Sequence, residues 1–403
     1  MIPYGKQYID QADVDAVVEV LRSEYLTCGP KVVEFETALA RSCRADYAVA
    51  VSNGTAALHL AMIVASVGSD DCVLTTSNTF LASANCAEYV GAKVVFADID
   101  PNTRCLSLET IQQVWRDGIK AVVAVDFAGY PCVSEELAEF VHAQGAVLIE
   151  DACHAIGGGR DGYKVGGLPW VDMTTFSFHP VKTMTTGEGG AVLSSNAHFI
   201  ERLRLFRSHG MEKYNANTHE APESVHELVQ NLHKGGSIED RWLYAVNELG
   251  YNYRITDMQC ALGLSQLGKL NGFVARRQEI TDQYNSEFEK FPGVKTPPKG
   301  LSGFVVSWHL YVLEINFQAM ATTRDEFMAR LYHDGVGTQA HYIPVHLQPY
   351  YMRQHGAERT ETLPCTEAYY EQALSIPLYP SMTDDEVRHV VATVTYALGQ
   401  GHE

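Results

Sequence analysis

The residues best suited to covalent chemistry lie in Phe176-Ser177-Phe178-His179-Pro180-Val181-Lys182-Thr183-Met184-Thr185-Thr186-Gly187-Glu188-Gly189-Gly190. A lone lysine between an apolar strand and a Gly-rich turn is unusual, because lysines are ordinarily solvated at element surfaces. Burial or a nearby cation lowers the pKa of an amine, and the neutral amine attacks a carbonyl carbon to form a Schiff base. The alternative is a snorkelling surface lysine, against which the surrounding Ser, His, Thr and Gly residues count.

Three further segments carry polar groups where apolar runs end. Glu150-Asp151-Ala152-Cys153-His154 follows the run Ala146–Ile149. A carboxylate there is costly to bury alone, so Asp151 either meets a cation or protonated ring nitrogen, or caps a helix. Ser52-Asn53-Gly54-Thr55 opens the helical pattern Ala56-Ala57-Leu58. Its free amides suit a phosphate, although a plain strand-to-helix turn reads the same way. Gly250-Tyr251-Asn252-Tyr253-Arg254 sets an amide and a cation among aromatics, and by itself fits any structural turn.

These segments need a scaffold, and the chain predicts one. Asp10 can cap a first helix in which Val14, Val17, Val18 and Leu21 share a face. From residue 47, Ala48–Val51, Val73–Thr75, Lys93–Ala97, Ala121–Val125, Ala146–Ile149, Thr174–Phe176 and Ala191–Leu193 read as strands. Helical stretches such as Leu108–Trp115 and Ser134–Ala143 lie between most of them. The alternation implies an α/β fold with a mostly parallel sheet, whose ligands bind beyond the strands' carboxyl ends. Residues 212–245 break the rhythm and read as a surface excursion without periodicity until Arg241-Trp242-Leu243. Helices are expected at Asp257–Leu270, Arg276–Phe291, Arg324–His333 and Asp384–Leu398, with a strand near Val305–Ile315. A domain change near residue 265 divides the chain into 1–265 and a smaller C-terminal α+β domain, 266–403.

Composition narrows the class. A chain of 403 residues with 46% hydrophobic residues can bury a large core, and the usual domain sizes favour two lobes. Its net charge of −19 opposes nucleic acid as a partner. No apolar run reaches the roughly 18 residues of a membrane span, and the N-terminus lacks the regions of a signal peptide, so a cytoplasmic protein is expected. That setting leaves the Asn53-Gly54-Thr55 triplet unglycosylated. Nine scattered cysteines include no C-x-x-C pair and read mostly as buried small hydrophobes. His341 and His346 flank a proline at i and i+5, which is not zinc-helix spacing, so no metal is expected.

Taken together and in this order, the four segments resemble the DegT/DnrJ/EryC1/StrS family of sugar-nucleotide aminotransferases, within the fold-type I enzymes that use pyridoxal 5′-phosphate (PLP). The resemblance runs from about Tyr4 to about Thr393 and is most specific at Lys182 and Thr185-Thr186-Gly187-Glu188-Gly189-Gly190. It implies that Lys182 is the Schiff-base lysine and proton carrier, and that Asp151 partners the pyridinium nitrogen. His154 then contacts the cofactor's phenolic oxygen and Phe80 stacks on its ring. Gly54, Thr55 and Ser177 hold the phosphate, and Asn252 is lent by a neighbouring subunit, which implies an obligate homodimer. Some relatives carry histidine in place of this lysine and act as dehydratases; the intact Lys182 implies transamination, with glutamate as donor.

Within that family, Val125–Gly129, Leu205–Met211, Tyr4, Glu24-Tyr25-Leu26-Thr27 and Ala340-His341-Tyr342-Ile343 are most similar to the subgroup that makes UDP-4-amino-4,6-dideoxy-N-acetyl-β-L-altrosamine for pseudaminic acid biosynthesis. The last three segments are those implied to contact the UDP-sugar. The excursion at 212–245 is longer than in the most compact members of that subgroup. The competing expectations are the same chemistry on a GDP- or dTDP-linked 4-keto-6-deoxy sugar, and a non-catalytic binding regulator on the same fold.

Overall fold

Runs of β-branched residues buried on both faces form a seven-stranded sheet. In the computed structural model, which describes residues 1–213, 222–232, 244–355 and 362–399, its strand order is Tyr47–Val51, Gly190–Ser194, Met173–Ser177, Val147–Asp151, Ile119–Val125, Cys72–Thr76, Lys93–Ala97. Pairing is parallel from Met173–Ser177 to Lys93–Ala97, while Gly190–Ser194 runs antiparallel to both neighbours. That reversal decides where Lys182 lies. Two adjacent antiparallel strands are joined by a loop that stays at one edge, so 178–189 remain at the carboxyl end of Met173–Ser177.

Alternate residues of each strand serve opposite faces. Val49, Val73, Val94, Val123 and Ile149 pack against the helices Gly54–Val64 and Ala82–Tyr89. Leu74, Val95, Val122, Ala124 and Leu148 pack against Leu108–Val114 and Glu135–Ala143. The smaller lobe holds an antiparallel sheet of Val294–Lys295, Tyr311–Ile315 and Ala373–Ile376, covered by Arg324–His333 and Asp384–Gly399. The mostly parallel sheet with helices on both faces and a smaller antiparallel lobe is the α/β arrangement expected from the sequence.

Several expectations are corrected. The two helices foreseen on either side of residue 273 are one, Asp257–Phe288, because Gly268 and Gly272 face open space and packing of the flanking turns carries the helix through them. The strand expected from Val305 begins only at Tyr311; Val305 makes a single bridge to Gly159. The excursion holds a helix, Glu223–Leu232, and a pairing of Met211–Lys213 with Tyr244–Val246, while Arg241-Trp242-Leu243 fall outside the described residues.

The first helix, Gln11–Leu21, has the expected cap at Asp10, but Val14 and Leu21 are exposed. Its buried face is set by Asp13, whose carboxylate accepts from Gln266 Nε2 at 2.8 Å and lies 2.8 Å from Lys269 Nζ on the long helix. A buried carboxylate must keep its partners, so it turns the valine face outward. Of the nine cysteines, all free, only Cys43, Cys86, Cys105 and Cys260 are fully buried.

Candidate active site

Asp151 is the last residue of its strand, not the first of the following turn, and is buried. Its Oδ2 accepts from Ser83 Oγ at 2.6 Å and its Oδ1 from the Cys153 amide at 3.2 Å. Ser83 in turn shares a hydrogen bond of 2.8 Å with Thr79 Oγ1. Neutral donors orient the carboxylate, and among the described residues no arginine or lysine forms a salt bridge with it. A buried carboxylate so placed is ready for a cationic ligand atom.

Lys182 sits in the loop between the antiparallel strands. Among the described residues its Nζ has no hydrogen-bond or ion-pair partner. Burial lowers its pKa below the ordinary lysine value, opposed by Cys153 and the Asp151 carboxylate nearby. The neutral, nucleophilic amine is therefore more abundant here than on a surface lysine.

His154 has one defined tautomer. Its Nδ1 accepts from the Ala128 amide at 3.3 Å, and burial, with Lys182 nearby, holds the ring well below the usual histidine range. A neutral ring whose Nδ1 accepts carries its proton on Nε2, which donates to the Tyr342 hydroxyl at 3.2 Å. Tyr342 also lies 6.2 Å from the Phe80 ring, whose side chain is exposed, and His341 lies 5.4 Å from Tyr4.

Gly54 opens the helix Gly54–Val64, capped by Asn53 Oδ1 on the Ala56 amide at 2.8 Å. A side chain at Gly54 would come within 2.9 Å of Ser177 Cβ, and one at Gly190 within 2.5 Å of Asn53 backbone atoms. The two glycines let the helix start close against the strand ends, beside Ser177. Thr55 and the free amides of this first turn offer an anion site.

The expected residues thus gather in two groups. Lys182, Asp151, His154, Phe80, Tyr4, His341 and Tyr342 are linked by contacts at the sheet's carboxyl edge, with Gly54 against Ser177 at the start of the neighbouring helix that Thr55 continues. The turn Glu24-Tyr25-Leu26-Thr27 is tied instead to the start of the long helix: Thr27 bridges Thr256, the Asp257 amide donates to Leu26 O at 3.1 Å, and Asp257 Oδ2 accepts from the Gly29 amide at 2.8 Å. Tyr25 and Leu26 are exposed, as are Glu24, Thr27, Asn252 and Ile343, and Ala340 is half-buried. Asn252 bridges Ser208, while the Ser52 amide donates to Tyr253 O at 2.8 Å, which sets this segment beside the helix that Gly54 opens.

Two residues escaped the sequence reading. Ser83 lies one helical turn beyond Phe80, a spacing that could have flagged it. His309, whose ring centroid is 4.4 Å from that of His154, sits in an apolar run with no signal. His346 bonds Ser77 Oγ at 2.6 Å and Glu367 at 3.1 Å, but Ser77 is fully buried, so this serine, histidine and carboxylate row is a strut and not a nucleophile. Among the described residues, no cluster of His, Cys, Asp or Glu could hold a metal ion, and no helix is long and apolar enough to cross a membrane.

A family model, that of the DegT/DnrJ/EryC1/StrS aminotransferase family, matches residues 7–395. The UDP-4-amino-4,6-dideoxy-N-acetyl-β-L-altrosamine transaminase of Campylobacter jejuni is 37% identical over 399 residues, 98% of this chain and 96% of that protein. The structure of Helicobacter pylori PseC, an aminotransferase involved in the biosynthesis of pseudaminic acid, superposes with a TM-score of 0.86 at 27% identity over 99% of both chains. The PLP form of Spr1654 from Streptococcus pneumoniae does so with a TM-score of 0.84 at 26% identity, again over 99% of both.

Proposed function

Because the chain belongs to the DegT/DnrJ/EryC1/StrS aminotransferase family and is a PLP-dependent sugar aminotransferase, we propose that it moves an amino group from glutamate to C4 of a UDP-linked 4-keto-6-deoxy-N-acetylhexosamine. The product would be UDP-4-amino-4,6-dideoxy-N-acetyl-β-L-altrosamine, an intermediate for pseudaminic acid. The observation that carries the reading is the half-buried Lys182, its amine without a partner among the described residues, near the Asp151 carboxylate, which forms no salt bridge among them. The 37% identity to a transaminase of that name supports the choice of sugar.

The residues present fit the cofactor. Asp151 offers a buried carboxylate without a cation, Phe80 an open aromatic face, and Gly54, Thr55 and Ser177 an anion site at a helix N-terminus. When bound, PLP supplies the electron sink for the carbanion left at the donor's Cα.

The chain's own groups do the rest. Lys182 Nζ would hold the cofactor and, once the donor's amine has displaced it as a free amine, would take the proton from the donor Cα and deliver it onward. Asp151 keeps a proton on the pyridine nitrogen, and Ser83 and the Cys153 amide hold that carboxylate in line. Neutral His154, donating to the Tyr342 hydroxyl, would lie against the phenolic oxygen without adding charge, and that hydroxyl would be free to present its own proton there. Tyr4, His341, Tyr342 and Ile343, with Ala340, bind the sugar nucleotide.

In this reading the enzyme is a cytoplasmic homodimer, with residues 1–265 as the cofactor lobe and 266–403 as the smaller lobe. Asn252 and the turn Glu24–Thr27 complete the partner's site. Their separate grouping and the exposed Val14, Leu21, Tyr25 and Leu26 around them support this assembly.

The test is an absorption spectrum of wild type and Lys182→Ala with and without glutamate, followed by turnover on a panel of nucleotide keto-sugars. A cofactor band that glutamate bleaches in wild type and that Lys182→Ala lacks is expected, with UDP sugars preferred. Preference for a GDP- or dTDP-linked sugar would overturn the substrate, and cofactor binding without any amino sugar formed would favour a non-catalytic role.

A further inference from the structure

The long helix Asp257–Phe288 carries a cation with no counter-charge. Arg277 is fully buried, and among the described residues it has no carboxylate partner. One guanidinium nitrogen, Nη1, donates to three backbone carbonyls: Trp308 O at 3.3 Å, His309 O at 3.1 Å and Leu378 O at 2.8 Å. Among the described residues its Nε and Nη2 have no hydrogen-bond partner. Burial lowers its pKa to about 9, which still leaves it charged at neutral pH. A buried unpaired charge is costly, and an apolar side chain would fill the space more cheaply.

What the three carbonyls have in common is their relation to the active site. The His309 ring lies against that of His154 at 4.4 Å and a tilt of 41°, and its amide donates to Ala128 O at 2.9 Å, while the Ala128 amide donates to His154 Nδ1. Ser307, two residues earlier, donates its hydroxyl to Ile156 O at 2.6 Å, so the segment is fastened on both sides of His154. On the other side, the Leu378 amide donates to Tyr4 O at 3.1 Å, and the Tyr4 ring faces His341. One guanidinium therefore braces two strands of backbone that carry different parts of the site.

We propose that Arg277 is a positioning residue for the aminotransferase reaction, holding the His309–His154 ring pair against the cofactor site and the Tyr4 segment against the substrate site through the hydrogen bonds of one guanidinium nitrogen. The proposal rests on the reading of the site given above. Lysine replaces this contact only in part: its ammonium also offers several donors at one point, but on a flexible stem that does not fix that point against both segments.

The test compares wild type with Arg277→Met and Arg277→Lys. Hydrogen exchange of the cofactor-free proteins, read by mass spectrometry, needs no catalysis. Both variants are expected to exchange faster at 307–310 and at 3–5 together with 377–379, with Val147–Asp151 unchanged. In the loaded enzymes, the half-reaction is measured with whichever of L-glutamate and L-glutamine bleaches the wild-type cofactor band. It should slow on the order of 10-fold to 100-fold in Arg277→Met, as expected when a contact network is displaced by about an ångström. Arg277→Lys should recover part of the rate, and KM for the UDP-linked keto-sugar should rise in both. A wrong donor or sugar would show in the wild type and would sink the earlier reading while leaving the exchange result to decide this one. Should Arg277→Met prove insoluble, Arg277→Lys decides by the same readouts. Exchange unchanged at either segment, or a half-reaction within twofold of wild type in a folded variant, would overturn the proposal.

Discussion

Ser83 Oγ lies 2.6 Å from Asp151 Oδ2, and the same hydroxyl is 2.8 Å from Thr79 Oγ1. The serine comes from the helix Ala82–Tyr89 and the aspartate from the end of a central strand, so one hydrogen bond fixes the carboxylate across two elements. Replacing Ser83 with alanine removes one of the two donors that orient Asp151. A hydrogen bond to a charged group is worth about 1.5–3 kcal/mol, so the half-reaction with glutamate is expected to slow by about 10-fold or more. Stopped-flow absorbance reads this directly, with cofactor content near that of wild type. An unchanged rate would mean that the Cys153 amide alone holds Asp151.

The Tyr342 hydroxyl is the acceptor for the proton on His154 Nε2. In Tyr342→Phe that buried N–H is left without a partner, at a cost of about 1–3 kcal/mol. The cofactor-free protein is therefore expected to melt a few degrees lower, and the loaded enzyme to show an altered cofactor band as His154 reorients. Calorimetry and an absorption spectrum check the two effects. A wild-type Tm would show that another acceptor or water takes the place of the hydroxyl.

Gly190 is required where the strand passes the cap of the phosphate-side helix. A Cβ there would stand 2.5 Å from the carbonyl carbon and oxygen of Asn53 and 2.8 Å from the Gly54 amide nitrogen. Backbone atoms cannot yield as a flexible side chain would, so Gly190→Ala should push the turn Asn53-Gly54-Thr55 out of place. Weaker cofactor binding, by about 10-fold or more, is expected in a fluorescence titration with PLP, with the sheet retained. A Kd within twofold of wild type would remove that turn from the phosphate site.

Lys182, Asp151 and Gly54 were legible because charged or permissive residues at strand ends are costly unless used, and the sheet itself followed from its buried runs. What sequence could not give depended on partners distant along the chain. The outward face of Gln11–Leu21 was decided by Asp13 meeting Gln266 and Lys269 some 250 residues away. The helices expected at Asp257–Leu270 and Arg276–Phe291 are one, because contacts of the flanking turns carry it through Gly268 and Gly272. His309 and Arg277 lie in stretches whose local pattern is that of ordinary packing, and only the fold brings their polar atoms to the site.

Behind Asp151, Glu150 points to the opposite face of the sheet and is fully buried. Its Oε2 accepts from Thr174 Oγ1 at 2.8 Å, its Oε1 has no partner, and Asp126, also buried, adds a second carboxyl nearby. Burial raises the Glu150 pKa from the ordinary 4.5 to about 7. Between those values the folded chain holds a proton that the unfolded chain has released, so stability falls as pH rises through that window. Glutamine at 150 keeps the acceptor for Thr174 and carries no titrating group. Glu150→Gln is therefore expected to flatten the decline of Tm between about pH 4.5 and 7, and to match or exceed wild type at pH 8 by up to a few kcal/mol. Thermal melts of the cofactor-free proteins across that range provide the measurement, since bound PLP titrates on its own account. If both proteins lose stability with the same slope, the proton resides elsewhere, and Asp126, raised well above the carboxylate range by its own burial and by Glu150, is the group to replace next.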